Sequence, residues 1–291
     1  MTSSVFRLAL GTVQFGLQYG IANQSGQVTI LEIKSILQTS MDNGIDTLDT
    51  AISYGESETR LGQVGVERWK VMTKLPAIPE NCPDICTWIK EQVKISLKRL
   101  RITQLYCLLL HKPGQLLGKD GNSIFRALQL LKETGLIRKI GISIYDPSEL
   151  NALTSKYHFD LVQAPFNLID RRLLTSGWLD RLKCSSVEVH ARSVFLQGLL
   201  LMELSAIPSQ FSAWNGIWRK WHYWLDSQNK SAIEASLEFP LSFPEFDKII
   251  VGIDNLIQLH QVLNSANISV KANLPNLECE DYKLINPAHW T

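Results

Sequence analysis

Four side chains in this chain, Asp49, Tyr54, Lys74 and His111, are of the types that move protons at a carbonyl. Asp49 follows residues 45–48, where Ile45 and Leu48 can enter a short buried strand, and Tyr54 stands five residues on, in a loop bounded by Gly55. A carboxylate and a phenol at the end of a buried strand cost stability unless they are paired or used. Lys74 closes the run at residues 69–73, and His111 follows the unbroken apolar run 105–110. A phenol titrates near ~10 in water, too high for efficient proton exchange at neutral pH. An ammonium about 4 Å away favours the phenolate by up to ~4 kcal/mol at an effective dielectric of about 20. Asp49 would keep Lys74 charged and aimed, and a neutral His111 would donate a hydrogen bond to a carbonyl oxygen. Such a set suits protonation of a developing alkoxide, which is half of a carbonyl reduction. The other half is a hydride, which no side chain supplies and a nicotinamide does.

These residues need a frame that brings strand ends together. Short apolar runs alternate with stretches of helical spacing along the chain. Strands are expected at 7–11, 45–48, 69–73, 105–110, 139–142, 161–163, 187–191 and 248–251. Between them, Thr29-Ile-Leu-Glu32 predicts a capping box and Gly44 a left-handed helix end. Ile85, Ile89, Val93, Leu97 and Leu100 stripe a long helix, and Ile124, Leu128 and Leu131 another. Asp146-Pro147-Ser148-Glu149 reads as a capped helix start. Leu256, Leu259 and Leu263 stripe the last helix, and residues 267–291 read as a C-terminal tail. Trp214, Trp218, Trp221 and Trp224 have near-helical spacing and read as core.

Eight strand–helix pairs imply a parallel α/β sheet with right-handed crossovers, and eight strands close a barrel. The rival is an open doubly wound sheet. It would carry a glycine-rich phosphate loop after its first strand, and Gly11-Thr-Val-Gln-Phe-Gly16 has the wrong spacing. A single barrel domain over residues 1–291 is the simpler account. In a barrel the active site lies at the carboxyl ends of the strands, so strands two, three and four deliver Asp49, Lys74 and His111 to one rim.

Composition narrows the partner. A formal charge of +1 over 291 residues gives no electrostatic footprint for nucleic acid. No run of 18 apolar residues suggests a membrane span, and the N-terminus lacks the pattern of a signal peptide. The five cysteines are odd in number and show no zinc spacing, which suits reduced thiols in a cytoplasmic protein. The expected partner is a small-molecule carbonyl or alcohol, met by a monomer or weak homo-oligomer.

Several segments resemble the aldo-keto reductase family. They are Leu10-Gly-Thr-Val-Gln-Phe-Gly16, Gly44-Ile-Asp-Thr-Leu-Asp-Thr-Ala-x-x-Tyr-Gly55, Thr73-Lys74, His111 and Ile140-Gly-Ile-Ser143. Val162-Gln-Ala-Pro-Phe-Asn167, Ala191-x-Ser193 with Gly198, and Val251-Gly252 with Gln258-Leu259 continue the match in the family's order. The resemblance implies a (β/α)8 TIM barrel and an NAD(P)-dependent oxidoreductase with Asp49, Tyr54, Lys74 and His111 as its catalytic tetrad. It further implies a cofactor bordered by Thr12 and Asp49, with Ser143 and Gln163 on the nicotinamide carboxamide. Arg192, Ser193, Phe195 and Gln197 would lie along it, and Gly252 and Gln258 would approach the adenosine phosphate.

The chain departs from the family at Ile144, where Asn is frequent, and at Arg192, where an aromatic often stacks on the nicotinamide. Where a 2′-phosphate is usually met by a cation or hydroxyl it has Ile253 and Gln258, beside Asp254. NADP(H) is the family's expectation, with NAD(H) as the alternative. Gln14, Phe15, Tyr19, Trp178 and the tryptophans at 214–224 are candidate substrate contacts, for each of which packing beneath a loop is an equal alternative. Two other readings compete: a non-enzymatic nicotinamide-binding barrel that signals redox state to a protein partner, and a Schiff-base aldolase with Lys74 as nucleophile. The second needs a neutral amine, which a neighbouring Asp49 opposes.

Overall fold

In the computed structural model, which describes residues 4–23, 26–266 and 273–290, eight parallel strands close into a barrel in chain order. They are β1 (Leu8–Gly11), β2 (Thr47–Asp49), β3 (Lys70–Leu75), β4 (Leu105–Leu110), β5 (Ile137–Ser143), β6 (Leu161–Pro165), β7 (Glu188–Arg192) and β8 (Lys248–Gly252). Closure runs from Leu8 opposite Ile249 to Gly11 opposite Gly252. The rival open sheet is thereby excluded.

The expected strands are in place, with shifted ends. Arg7 lies outside β1, its guanidinium donating to the carbonyls of Leu241, Phe243 and Phe246 beneath the barrel. Ile45 belongs to a helix cap, and β2 begins at Thr47. Most strands run further at their carboxyl ends than the apolar runs do. Asp49, Lys74, Ser143, Gln163, Arg192 and Gly252 are strand residues whose side chains or backbones face the barrel mouth.

One strand step deeper than these rim positions sit Ala9, Met72, Cys107, Leu161 and Ile250, which with Leu109 form an apolar plug inside the barrel. The site therefore has a packed floor. The larger core lies between barrel and helices, where Ile89, Val93, Leu97 and Leu100 of the helix Ile85–Leu100 bury their stripe. Asp84 caps that helix by accepting from the Thr87 amide at 3.0 Å.

Local rules hold at some helix ends and yield at others. Gly44 has φ +87°, and the Gly44 and Ile45 amides donate to Met41 and Ser40, closing the helix Ile30–Asp42 as expected. Only half of the predicted capping box forms. The Thr29 hydroxyl accepts from the Glu32 amide at 3.3 Å, but the Glu32 carboxylate accepts from the Leu256 amide at 2.6 Å. A distant helix start competes successfully for that carboxylate. The helix expected at Asp146 begins at Glu149 instead, because Asp146 closes a turn onto the Ser148 amide and pairs with Arg172.

The tail is more ordered than its sequence suggests, although residues 267–272 and 291 lie outside the described residues. Asp281 caps a short helix, Tyr282–Ile285, which buries Leu284 and Ile285. Trp218 and Trp221 are fully buried, with indole N–H groups donating to Phe211 and Leu200 carbonyls, and Trp224 donates to Asn273. No helix among the described residues is long and apolar enough to cross a membrane.

Candidate active site

Backbone pairing delivers the polar set. Gly11 lies opposite Asp49 across β1 and β2, and Lys74 opposite Leu109 across β3 and β4, with His111 just beyond. The Lys74 ammonium donates to Asp49 Oδ2 at 2.6 Å and to the Thr50 carbonyl at 3.1 Å. Both members of the pair are buried, Lys74 at 1% exposure and Asp49 at 5%. Lys74 Nζ sits over the Tyr54 ring, 5.1 Å from its centroid, and the His111 ring meets Tyr54 edge-on at 6.1 Å.

Tyr54 is on a loop, yet the loop is pinned. Ser57 Oγ donates to the Thr12 carbonyl at 2.9 Å and also bonds the Thr12 and Thr50 hydroxyls. Gly16 packs so tightly that a Cβ there would lie 1.8 Å from the Tyr54 carbonyl oxygen. The buried Glu58 carboxylate accepts from Thr73, Ser96 and Arg99, fastening the helix that follows the loop.

Electrostatics assign protonation states. Burial works to lower the Lys74 pKa, but the Asp49 charge and hydrogen bond, with Tyr54, more than offset it, and the net shift is upward. The amine stays protonated. His111 is pushed down to about 4, first by burial and then by the nearby Lys74 and Arg192 cations. Its imidazole is neutral at physiological pH and can offer an N–H. Because the folded value lies below the ordinary 6.5, this group's contribution to stability is present above pH 6.5 and lost as pH falls toward 4. A histidine-resolved NMR titration should place the His111 midpoint near pH 4. A midpoint near 6.5 would contradict the desolvated site.

A polar relay continues across the mouth. Gln163 Nε2 donates to Asp49 Oδ1 at 2.8 Å, and Ser143 Oγ donates to Gln163 Oε1 at 2.8 Å. Gln163 keeps one N–H and one lone pair, and Ser143 its acceptor capacity, which suits an incoming carboxamide. From here a cavity of about 420 Å³ runs between the ends of β1, β7 and β8. Thr12, Ser143, Gln163, Gly252 and Gln258 line it, as do Arg192, Ser193, Phe195 and Gln197 and all four tetrad positions.

The cavity has features a polar, elongated ligand would use. Gln14 Oε1 and Arg192 Nε are buried without a partner. Arg192 otherwise donates to the Ile144 carbonyl and Ser193 Oγ, and its guanidinium lies 4.5 Å from the Tyr145 ring centroid. Leu196, Gln197 and Gly198 all have left-handed φ, holding the β7 loop against the cavity. One unpartnered acceptor and one unpartnered donor along an elongated cavity suit a polar ligand of dinucleotide type.

The structure separates the candidate substrate contacts into cavity-lining and packing residues. Gln14 and Tyr19 line the cavity, but Phe15, Trp178 and the tryptophans at 214–224 do not. Phe15, Trp218 and Trp221 are buried in the core, and Trp178 is in the helix Trp178–Cys184 outside the barrel. Burial in the Tyr19 environment pushes its phenol up to about 12, so it remains a neutral hydroxyl. Tyr145, Asn23 and Gln261 also line the cavity and carry no motif of their own. No group of three or more His, Cys, Asp or Glu residues among the described residues could hold a metal ion.

The model of the aldo/keto reductase family matches residues 7–273. The uncharacterised oxidoreductase YqkF of Bacillus subtilis is 28% identical over 253 residues, covering 80% of this chain and 81% of that protein. The glyoxal reductase of the same organism is 24% identical, covering 81% and 78%. A solved aldo-keto reductase from Bacillus halodurans, in a holo form, superposes with a TM-score of 0.73 at 20% identity over 91% of this chain and 88% of that one, a likeness of fold.

Proposed function

The chain belongs to the aldo/keto reductase family of NAD(P)-dependent oxidoreductases, and from that premise we propose that it reversibly reduces a small aldehyde, ketone or sugar carbonyl. The observation that carries the reading is the buried Lys74–Asp49 pair under the Tyr54 ring, faced by a neutral His111. A bound nicotinamide supplies the hydride to the carbonyl carbon.

The chain's own residues handle the oxygen. His111 donates a hydrogen bond that orients the carbonyl. As negative charge develops on the oxygen, Tyr54 gives it the phenolic proton, and in the reverse direction takes it back. The Lys74 charge, aimed by Asp49, favours the phenolate left behind. Ser143 and Gln163 hold the carboxamide, and Thr12, Arg192, Ser193, Phe195, Gln197, Gly252 and Gln258 border the rest of the cofactor. Residues 1–291 then act as one barrel domain, in the cytoplasm, as a monomer or weak homo-oligomer.

A lysine held protonated is a poor Schiff-base nucleophile, which counts against an aldolase. A pure redox sensor has no use for a phenol, an ammonium and a neutral imidazole set around one point. Purified protein mixed with NADH or NADPH and a panel of aldehydes, ketones, sugars and glyoxal should consume reduced cofactor with at least one of them. Binding of cofactor with no turnover on any carbonyl would favour the sensor.

A further inference from the structure

We infer that this chain selects NAD(H) over NADP(H), with Asp254 accepting from an adenosine ribose hydroxyl and Asp254 and Glu32 together repelling a 2′-phosphate. The inference rests on the dinucleotide reading above and goes against the family's usual choice of cofactor.

The nicotinamide must reach Tyr54, so the adenosine half falls at the other end of the cavity, beside Asp254, Gln258 and Gln261. Among the described residues lining the cavity, the only lysine or arginine side chains are Lys74 and Arg192, both at the barrel mouth. Lys74 is committed to Asp49, and Arg192, of which Nε alone is unpaired, is held at the mouth by Ile144, Ser193 and the Tyr145 face.

A helix start could substitute for a missing cation, since free amides attract phosphate. The start of the helix Leu256–Ala266 offers little of this. The Leu256 amide donates to the Glu32 carboxylate at 2.6 Å, and the Gln258 amide to Asn255 Oδ1 at 2.9 Å. The Asp254 amide donates to Gln258 Oε1 at 2.8 Å. Side-chain oxygens already occupy these donors, and one of them carries a negative charge. A phosphate dianion arriving here meets the Asp254 carboxylate on the cavity wall, with the Glu32 carboxylate behind it on the Leu256 amide.

A ribose hydroxyl meets the opposite situation. Asp254 accepts from Asn23 Nδ2 at 3.2 Å and from Gln258 Nε2 at 3.4 Å, both long contacts that leave acceptor capacity. Burial raises the Asp254 pKa, so a further donor stabilises its charged form. An acid that bonds a ribose hydroxyl and rejects a phosphate is a general solution to dinucleotide choice on other folds.

Isothermal titration of the full chain with NADH, NADPH, 5′-AMP and adenosine 2′,5′-bisphosphate tests this. NADH should bind at least about tenfold more tightly than NADPH, and 5′-AMP more tightly than the bisphosphate. The double variant Glu32→Gln/Asp254→Asn keeps both acceptors and removes both charges. It should bind NADPH at least about tenfold more tightly than the parent does and NADH more weakly, because the charge-assisted bond to the ribose is lost. Parent protein that binds NADPH as well as NADH, or a double variant with an unmoved ratio, overturns the inference and leaves the oxidoreductase reading standing. Binding of neither dinucleotide overturns both.

Discussion

Tyr54→Phe should lower carbonyl reduction by about 10³-fold while leaving cofactor affinity within about threefold of the parent, because it removes one proton donor and little else. The substitution deletes a hydroxyl from a partly exposed ring and keeps the ring itself. The Lys74 ammonium still lies over the aromatic face, and His111 still meets its edge. The loop is fixed by Ser57, Thr12, Thr50 and Gly16 rather than by the phenol, so the fold should tolerate the change. Steady-state kinetics with a reduced substrate set, paired with cofactor titration, separates lost chemistry from lost binding. A variant as active as the parent would remove Tyr54 from the mechanism.

Lys74→Met should be the more destructive change for the fold. It leaves the Asp49 carboxylate buried with its ammonium gone, and removing one member of a buried pair costs roughly 3–5 kcal/mol. Asp49 would retain only Gln163 Nε2 among its side-chain donors. The double variant Asp49→Asn/Lys74→Met removes both charges and should recover most of that stability, with activity still lost. Urea unfolding of the parent, the two single variants and the double variant gives the coupling directly. Additive single effects would mean that the two groups are not a pair.

Much of this architecture is readable from residue order. The run Leu105–Leu110 is continuous because β4 is covered on both faces, and such a strand has no polar side to alternate. Strand ends are harder to read. A lysine looks like the close of an apolar run, yet the ladder continues past it, with Lys74 opposite Leu109 and Leu75 opposite Leu110. Lys74 can stay inside the ladder because Asp49 neutralises it there, and that partner is 25 positions away.

Contacts of long range explain the remaining misses. Glu32 matches a capping-box pattern, but its carboxylate reaches Leu256, 224 positions along the chain. Asn23 and Asp254, separated by 231 positions, share no pattern that would join them. Residue types alone also mislead. Tyr106, Lys139, Glu188 and His190 form a second acid, phenol, amine and imidazole group, with the Glu188 carboxylate accepting from Tyr106 and Lys139 and bonded to His190 at 2.6 Å. Glu188 opens β7 and Arg192 closes it, which puts the Glu188 carboxylate that joins this group about 13 Å back along the strand from Arg192 at ordinary strand rise. None of its members lines the cavity beside Tyr54. Position along the strand separates a candidate active site from a structural cluster of the same chemistry.

At one mouth, hydride delivery meets proton delivery from Tyr54. A single-turnover reaction with 4,4-dideuterio-NADH or 4,4-dideuterio-NADPH, deuterated on both faces of C4, read by mass spectrometry of the alcohol product, provides the test. Deuterium should appear on the former carbonyl carbon with the parent protein, and form about 10³-fold more slowly with Tyr54→Phe. Product free of deuterium, or equal rates for the two proteins, would contradict the account.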